Sequence, residues 1–130
     1  MIIGIITVIV VVIIGLIIFN SSIEKNSEES VVVKGDIIMS TKSSRPGCEK
    51  TDRCYIPSVI VINSGNQVTW VNEDSAFHSV TSGFYGEPSE LFDSGYLDPY
   101  ESFTVNFNEK GTYDFFCTLH PWMKGQVLVE

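Results

Sequence analysis

Basic residues are scarce in this chain: 8 lysines and arginines stand against 16 aspartates and glutamates among 130 residues. That balance excludes nucleic acid as an expected partner and favours basic ones. No lysine or arginine precedes Lys25, and no Ala-x-Ala site follows the uncharged Ile- and Val-dominated run over residues 1–19. A cleaved secretory signal wants both. Histidine is rarer still, with 2 in the whole chain, and the 3 methionines are scattered. Beyond residue 19 no segment carries a helical period, and nothing repeats. Helical bundles and solenoids are therefore set aside.

What is present divides the chain. At ~1.5 Å per residue, a helix over residues 1–19 matches the ~30 Å hydrocarbon core of a bilayer. The expectation is an uncleaved transmembrane anchor, with a cleaved signal as the alternative. Glu24, Lys25, Glu28 and Glu29 come next. They give the positive-inside rule nothing to hold in the cytoplasm, so the remainder is expected on the extracytoplasmic side. Residues 20–30, rich in Ser, Asn and Glu, read as a flexible tether. Residues 31–130 have room for one domain of ordinary size.

Within that domain the patterns are those of strands. Ser102, Thr104 and Asn106 alternate with Phe103, Val105 and Phe107, a period of two that marks one buried face. Residues 59–62 form a β-branched run, and residues 67–72 place Val68 and Trp70 on one face. Gly111 opens a strand in which Tyr113, Phe115 and Cys117 share a side, and Gly125 precedes a closing strand. Val31, Val32 and Val33 with Ile37, Ile38 and Met39 suggest a first strand interrupted near Gly35. Short strands between Gly, Pro and Asn turns indicate an all-β sandwich or barrel.

Three cysteines are an odd number for an exported protein. Cys48 and Cys54 flank a short polar segment, and the simplest pairing joins them and leaves Cys117 free. A metal on Cys48 and Cys54 is the alternative, but no nearby His or further Cys completes such a site. The pair would staple an insertion over residues 40–55, long for a loop in a compact domain.

The chemistry concentrates in Cys117-Thr118-Leu119-His120-Pro121-Trp122-Met123. A thiol, an imidazole and a thioether fall in one short loop at the spacing Cys-x2-His-x2-Met. His78, the other histidine, follows the strand over residues 67–72. Singly, each of these side chains is more often packing than ligand. Together they make two imidazoles, a thiolate and a weak thioether, the donor set of a blue-copper centre. Soft sulfur suits Cu(I), and imidazole suits either oxidation state.

With Gly111-Thr112-Tyr113 before it and Lys124-Gly125 after it, this loop resembles the cupredoxins, most of all amicyanin and the plastocyanin-like proteins. Residues 65–72 followed by His78 match the first-ligand segment of that family, and Ser94-Gly95-Tyr96-Leu97 and Glu101-Ser102-Phe103 match its middle. The resemblance covers residues 59–130. It implies a Greek-key β-sandwich, and it implies that Asn72 hydrogen-bonds across to the ligand loop. Phe77 and Leu119 stand where many relatives have proline before each histidine.

The function expected is single-electron shuttling through one mononuclear copper, with His78, Cys117, His120 and Met123 as ligands. Redox-protein donor and acceptor are the expected partners, with no small-molecule substrate and no enzymatic step. Two histidines are too few for the extra metal sites of an oxidase or nitrite reductase, and one cysteine in the loop is too few for a binuclear centre. Copper delivery or storage by the same ligands is the alternative. Electrons are expected to leave through His120, inside an apolar docking patch of Leu119, Pro121 and Trp122. The competing role for Trp122 is inward packing.

Overall fold

The computed structural model describes residues 35–130. The expected anchor over 1–19, the tether over 20–30 and the Val31–Val33 part of the first strand lie outside the described residues. No helix among the described residues is long and apolar enough to cross a membrane.

Among the described residues nine strands build two facing sheets. They are β1 (Ile37–Met39), β2 (Tyr55–Ile56), β3 (Val59–Ile62), β4 (Asn66–Asn72), β5 (Thr81–Phe84), β6 (Glu87–Asp93), β7 (Ser102–Phe107), β8 (Gly111–Phe116) and β9 (Lys124–Val129). One sheet has the order β2-β1-β4-β7 and the other β3-β9-β8-β5-β6. The β1–β4 and β3–β9 pairs are parallel; all others are antiparallel. The all-β sandwich expected from the strand pattern is what forms. The one helical element among the described residues is a 3-10 turn, Cys48–Thr51, inside the insertion.

The alternating apolar residues close this sandwich from both sides. Trp70 on β4 sits at its centre, with Phe92, Phe103, Phe107 and Phe115 around its ring at centroid distances of 5.3 to 6.4 Å. Aromatic pairs at such spacing, tilted or edge-on, add to the burial of their large apolar areas. Trp70 and Val68 are fully buried on the same face of β4, as a period of two requires. Cys117, Met123 and His78 are fully buried too, at the end where β8 runs into β9.

One glycine is dictated by contact. Gly125 pairs with Phe115 across β8 and β9, and a Cβ at this position would meet the Phe115 ring and, at 2.6 Å, the Ser58 carbonyl. The β8–β9 hairpin, and with it the turn over residues 117–123, closes only because that side chain is missing.

Three strands were not legible. β2 is two residues long and begins inside the stretch read as an insertion. β5 contains Gly83 at φ 100°, and the β5–β6 register shifts between Thr81 and Gly83. β6 is an edge strand whose side chains are almost all exposed, with Pro88 near its start. Proline and polar residues belong on an edge strand, and there they erase the alternation that reveals an inner one.

Candidate metal centre

The site is assembled from two connections at one end of the sandwich. The first links β4 to β5 and carries His78, whose backbone bridges to Leu97: the Leu97 N–H donates to the His78 carbonyl at 2.8 Å. The second is the β8–β9 turn. There the Cys117 N–H donates to the Met123 carbonyl at 3.2 Å, and the Met123 N–H to the His120 carbonyl at 2.9 Å. These bonds hold the sulfur-bearing residues at the two mouths of one closed turn.

The side chains then converge. His78 Nδ1 and His120 Nδ1 lie 3.1 Å apart. Cys117 Sγ is 3.8 Å from the first and 3.5 Å from the second. All three donor atoms fall within 4.8 Å of one another. Two imidazole nitrogens facing each other can share only one proton, so a point that both address is a point for a cation. The outward nitrogen of His78, Nε2, is 3.0 Å from Asp74 Oδ2. A carboxylate there fixes the tautomer that leaves Nδ1 free to ligate. Met123 adds a fully buried thioether at the end of the turn.

The surroundings favour a thiolate. Burial pushes the Cys117 thiol up, but the His78 imidazole, the Ser79 N–H and the Leu119 N–H outweigh it and bring it below its ordinary value. The Ser79 N–H points at the sulfur from 3.3 Å. Burial works against a charge on His78 as well, yet Cys117 and Asp74 together raise it. His120 is lowered, first by burial and then by the charge of His78. Asp74 is nearly enclosed. Burial raises it, but the bond to His78 and the N–H groups of Lys42, Ser44 and Ser75 hold it far below the usual carboxylate range.

Asn72 does not bond to the turn over residues 117–123. Its Nδ2 donates to the carbonyls of Ala76 at 2.8 Å and Leu97 at 3.0 Å, and its Oδ1 accepts the Asp74 N–H at 3.0 Å. The amide on the last residue of β4 thus ties the loop that β4 enters to Leu97 in the β6–β7 connection. The link across to the cysteine turn comes from Ser79, whose Oγ accepts the Thr118 N–H at 2.9 Å.

Cys48 and Cys54 are joined in a disulfide, and Cys117 is free and buried. Around His120 the side chains differ in access. Phe77 is 54% exposed and Leu119 40%, while Pro121 and Trp122 are half-buried. Trp122 packs against the core, and its Nε1 donates to the Ser43 carbonyl at 2.9 Å. Sequence reasoning missed Asp74, Ser79 and Ser43. The first two had a signal, an acidic residue one helical turn before His78 and a hydroxyl just after it; Ser43 had none.

A family model described as copper binding proteins, plastocyanin/azurin family, matches residues 43–130. The chain belongs to that family. It takes one type I copper ion, and His78, Cys117, His120 and Met123 form a donor set that fits it. Amicyanin of Paracoccus versutus is 37% identical over 78 residues, 58% of each chain. The chain thus spans little more than half the length of that relative. Plastocyanin of Scenedesmus fuscus is 33% identical over 92 residues, covering 65% of this chain and 94% of its own. A purple cupredoxin from Nitrosopumilus maritimus superposes with a TM-score of 0.66 at 33% identity, over 72% of this chain and 97% of its own.

Proposed function

We propose that this cupredoxin is a one-electron carrier, tethered to a membrane by residues 1–19 with its copper domain on the extracytoplasmic side. One observation carries the reading. Of the four donor side chains, His78, Cys117 and Met123 are fully buried and only His120 reaches the surface. Such a centre offers a partner one ring edge for an electron and offers a small molecule nowhere to bind.

A bound copper ion supplies a one-electron couple that thiolate, thioether and imidazole donors serve in both oxidation states. The chain's own part is to hold still. Asp74 fixes the His78 ring, Ser79 holds the Cys117 sulfur, and two backbone bonds close the turn. Donors anchored in both connections cannot rearrange cheaply when charge changes. Phe77 and Leu119 beside His120, with the edges of Pro121 and Trp122, give an apolar contact for a redox protein. The acidic surface steers a basic partner toward it.

The test is visible absorption of the copper-loaded full chain under redox titration. A carrier shows an intense thiolate-to-copper charge-transfer band that bleaches and returns reversibly. Loss of copper on each reduction would favour the other reading, delivery or storage. Protease accessibility of the domain in intact cells checks its side of the membrane.

A further inference from the structure

The disulfide-closed insertion reaches the metal centre through a residue that is neither a ligand nor part of either ligand-bearing connection. Ser43 is fully buried. Its Oγ lies 3.3 Å from His78 Nε2, and its carbonyl accepts the Trp122 indole N–H at 2.9 Å. Ser43 therefore touches the β4–β5 connection with its side chain and the β8–β9 turn with its backbone. The residues on either side of it hold the carboxylate on the same imidazole nitrogen: the Lys42 N–H donates to Asp74 Oδ1 at 2.8 Å and the Ser44 N–H to Asp74 Oδ2 at 3.0 Å. Three successive residues thus bear on one histidine, Ser43 directly and its two neighbours through Asp74.

These contacts are made by a segment with almost no regular structure, which fixes their geometry only if it is itself fixed. The Cys48–Cys54 bridge does this a few residues on. The chain there folds back on itself through the Arg53 N–H to the Cys48 carbonyl at 2.9 Å and the Ser40 N–H to the Cys54 carbonyl at 3.0 Å. The second bond ties the start of the insertion to its end. A cross-link that closes a short loop limits the conformations available once local contacts open.

We propose that the stapled insertion over residues 40–55 is the outer frame of the copper centre, with Ser43 as the positioning residue that locks the His78 ring and the ligand turn to one another. This rests on the copper reading above and deepens it. The segment is not a surface decoration; its closure sets how precisely His78 and His120 are aimed.

Full-length chain, metal-free and Cu(I)-loaded, is compared as wild type, as Cys48→Ser/Cys54→Ser and as Ser43→Ala by proton-exchange NMR. Trp70 supplies an internal control, since its fully buried indole N–H makes no hydrogen bond to the insertion or to any other group and is protected by core burial alone. In the double variant, exchange of the Trp122 indole proton and of His78 Nε2–H should rise together by about tenfold or more, with Trp70 unchanged, as for a local opening. In Ser43→Ala the carbonyl remains, so only the His78 proton should speed up. The Cu(II) forms of both variants should show altered copper hyperfine splitting and a displaced charge-transfer band. Wild-type exchange at His78 and Trp122 in both variants would overturn the proposal. So would loss of Trp70 protection alongside Trp122, because the insertion would then hold the sandwich in general. Altered exchange in a chain that never turns blue keeps the frame and removes the electron-carrier reading; a blue chain with unaltered exchange does the reverse.

Discussion

The N–H of Ser79 points at the sulfur of Cys117 from 3.3 Å, so the residue next to one histidine holds the cysteine that faces it. The Ser79 hydroxyl accepts the Thr118 N–H at 2.9 Å, and the Ser79 carbonyl accepts the Tyr55 hydroxyl at 2.6 Å. One serine thereby ties together β2, the β4–β5 connection and the ligand turn.

Ser79→Ala keeps the N–H to sulfur and leaves the Thr118 N–H without its acceptor. Thr118 is exposed, so water takes over the freed N–H and the loss is that of one ordinary hydrogen bond, about 0.5–1.5 kcal/mol. Chemical denaturation should register that loss while the charge-transfer band persists; an unchanged midpoint would show that the turn supports itself.

The sulfur donors separate by chemistry. Cys117→Ser should abolish the blue colour, because a hydroxyl cannot supply thiolate charge transfer. Met123→Leu should keep copper and colour and raise the reduction potential, because a weak electron donor to Cu(II) is lost. Voltammetry and absorption read both. Blue copper surviving in Cys117→Ser would sink the ligand assignment.

Asp74 gives the metal-free chain a pH dependence of known sign. Its carboxyl is held far below the usual range in the fold, whereas the unfolded chain takes up this proton near pH ~4. The unfolded state binds more protons as pH falls, so the contribution of Asp74 is complete above that value and is lost below it. Asp74→Asn should be less stable than wild type near neutral pH, with the gap narrowing as pH falls through about 4. Urea midpoints across that range decide it, and a constant gap would show that the charge contributes nothing.

Leu119 is open to solvent beside His120. Leu119→Ala should change stability by less than about 0.5 kcal/mol, as surface substitutions do, and should slow electron exchange. The apolar contact should be insensitive to salt, whereas steering by the acidic surface weakens as ionic strength rises. Stopped-flow exchange at two salt concentrations separates them, and an unaltered rate at both would move the docking site elsewhere.

How much could be read beforehand follows from what each contact is made of. Cys117, His120, Met123 and His78 were visible because rare side chains at a tight spacing advertise their own chemistry. β7 was visible because its two faces alternate in burial, and β4 because Val68 and Trp70 recur at a period of two. Ser43 was not, and Asp74 was passed over although its place four residues before His78 was a signal. Ser43 meets Trp122 through its backbone carbonyl and Asp74 is held by the backbone N–H groups of Lys42 and Ser44, groups that no side-chain pattern reveals. Trp122 was placed in the docking patch on its neighbours alone, and no pattern in the chain announces an indole bonded to a carbonyl so far back in sequence. For Asn72 the family resemblance pointed to the ligand turn, whereas its amide bonds to Ala76, Leu97 and Asp74.

The parallel pairing of β3 with β9, from Val59 opposite Gln126 to Ile62 opposite Val129, sets an order in time. β3 is synthesised early and has no neighbour in its sheet until β9 exists, so this half of the sandwich closes late, as non-local pairings do. A growing chain that has reached Met123 already carries every donor and still lacks the strand that turns them into a cage. Maturation of the centre therefore belongs to the finished sheet, and a chain cut short at the ligand turn would own the metal-binding groups without a place to put the metal.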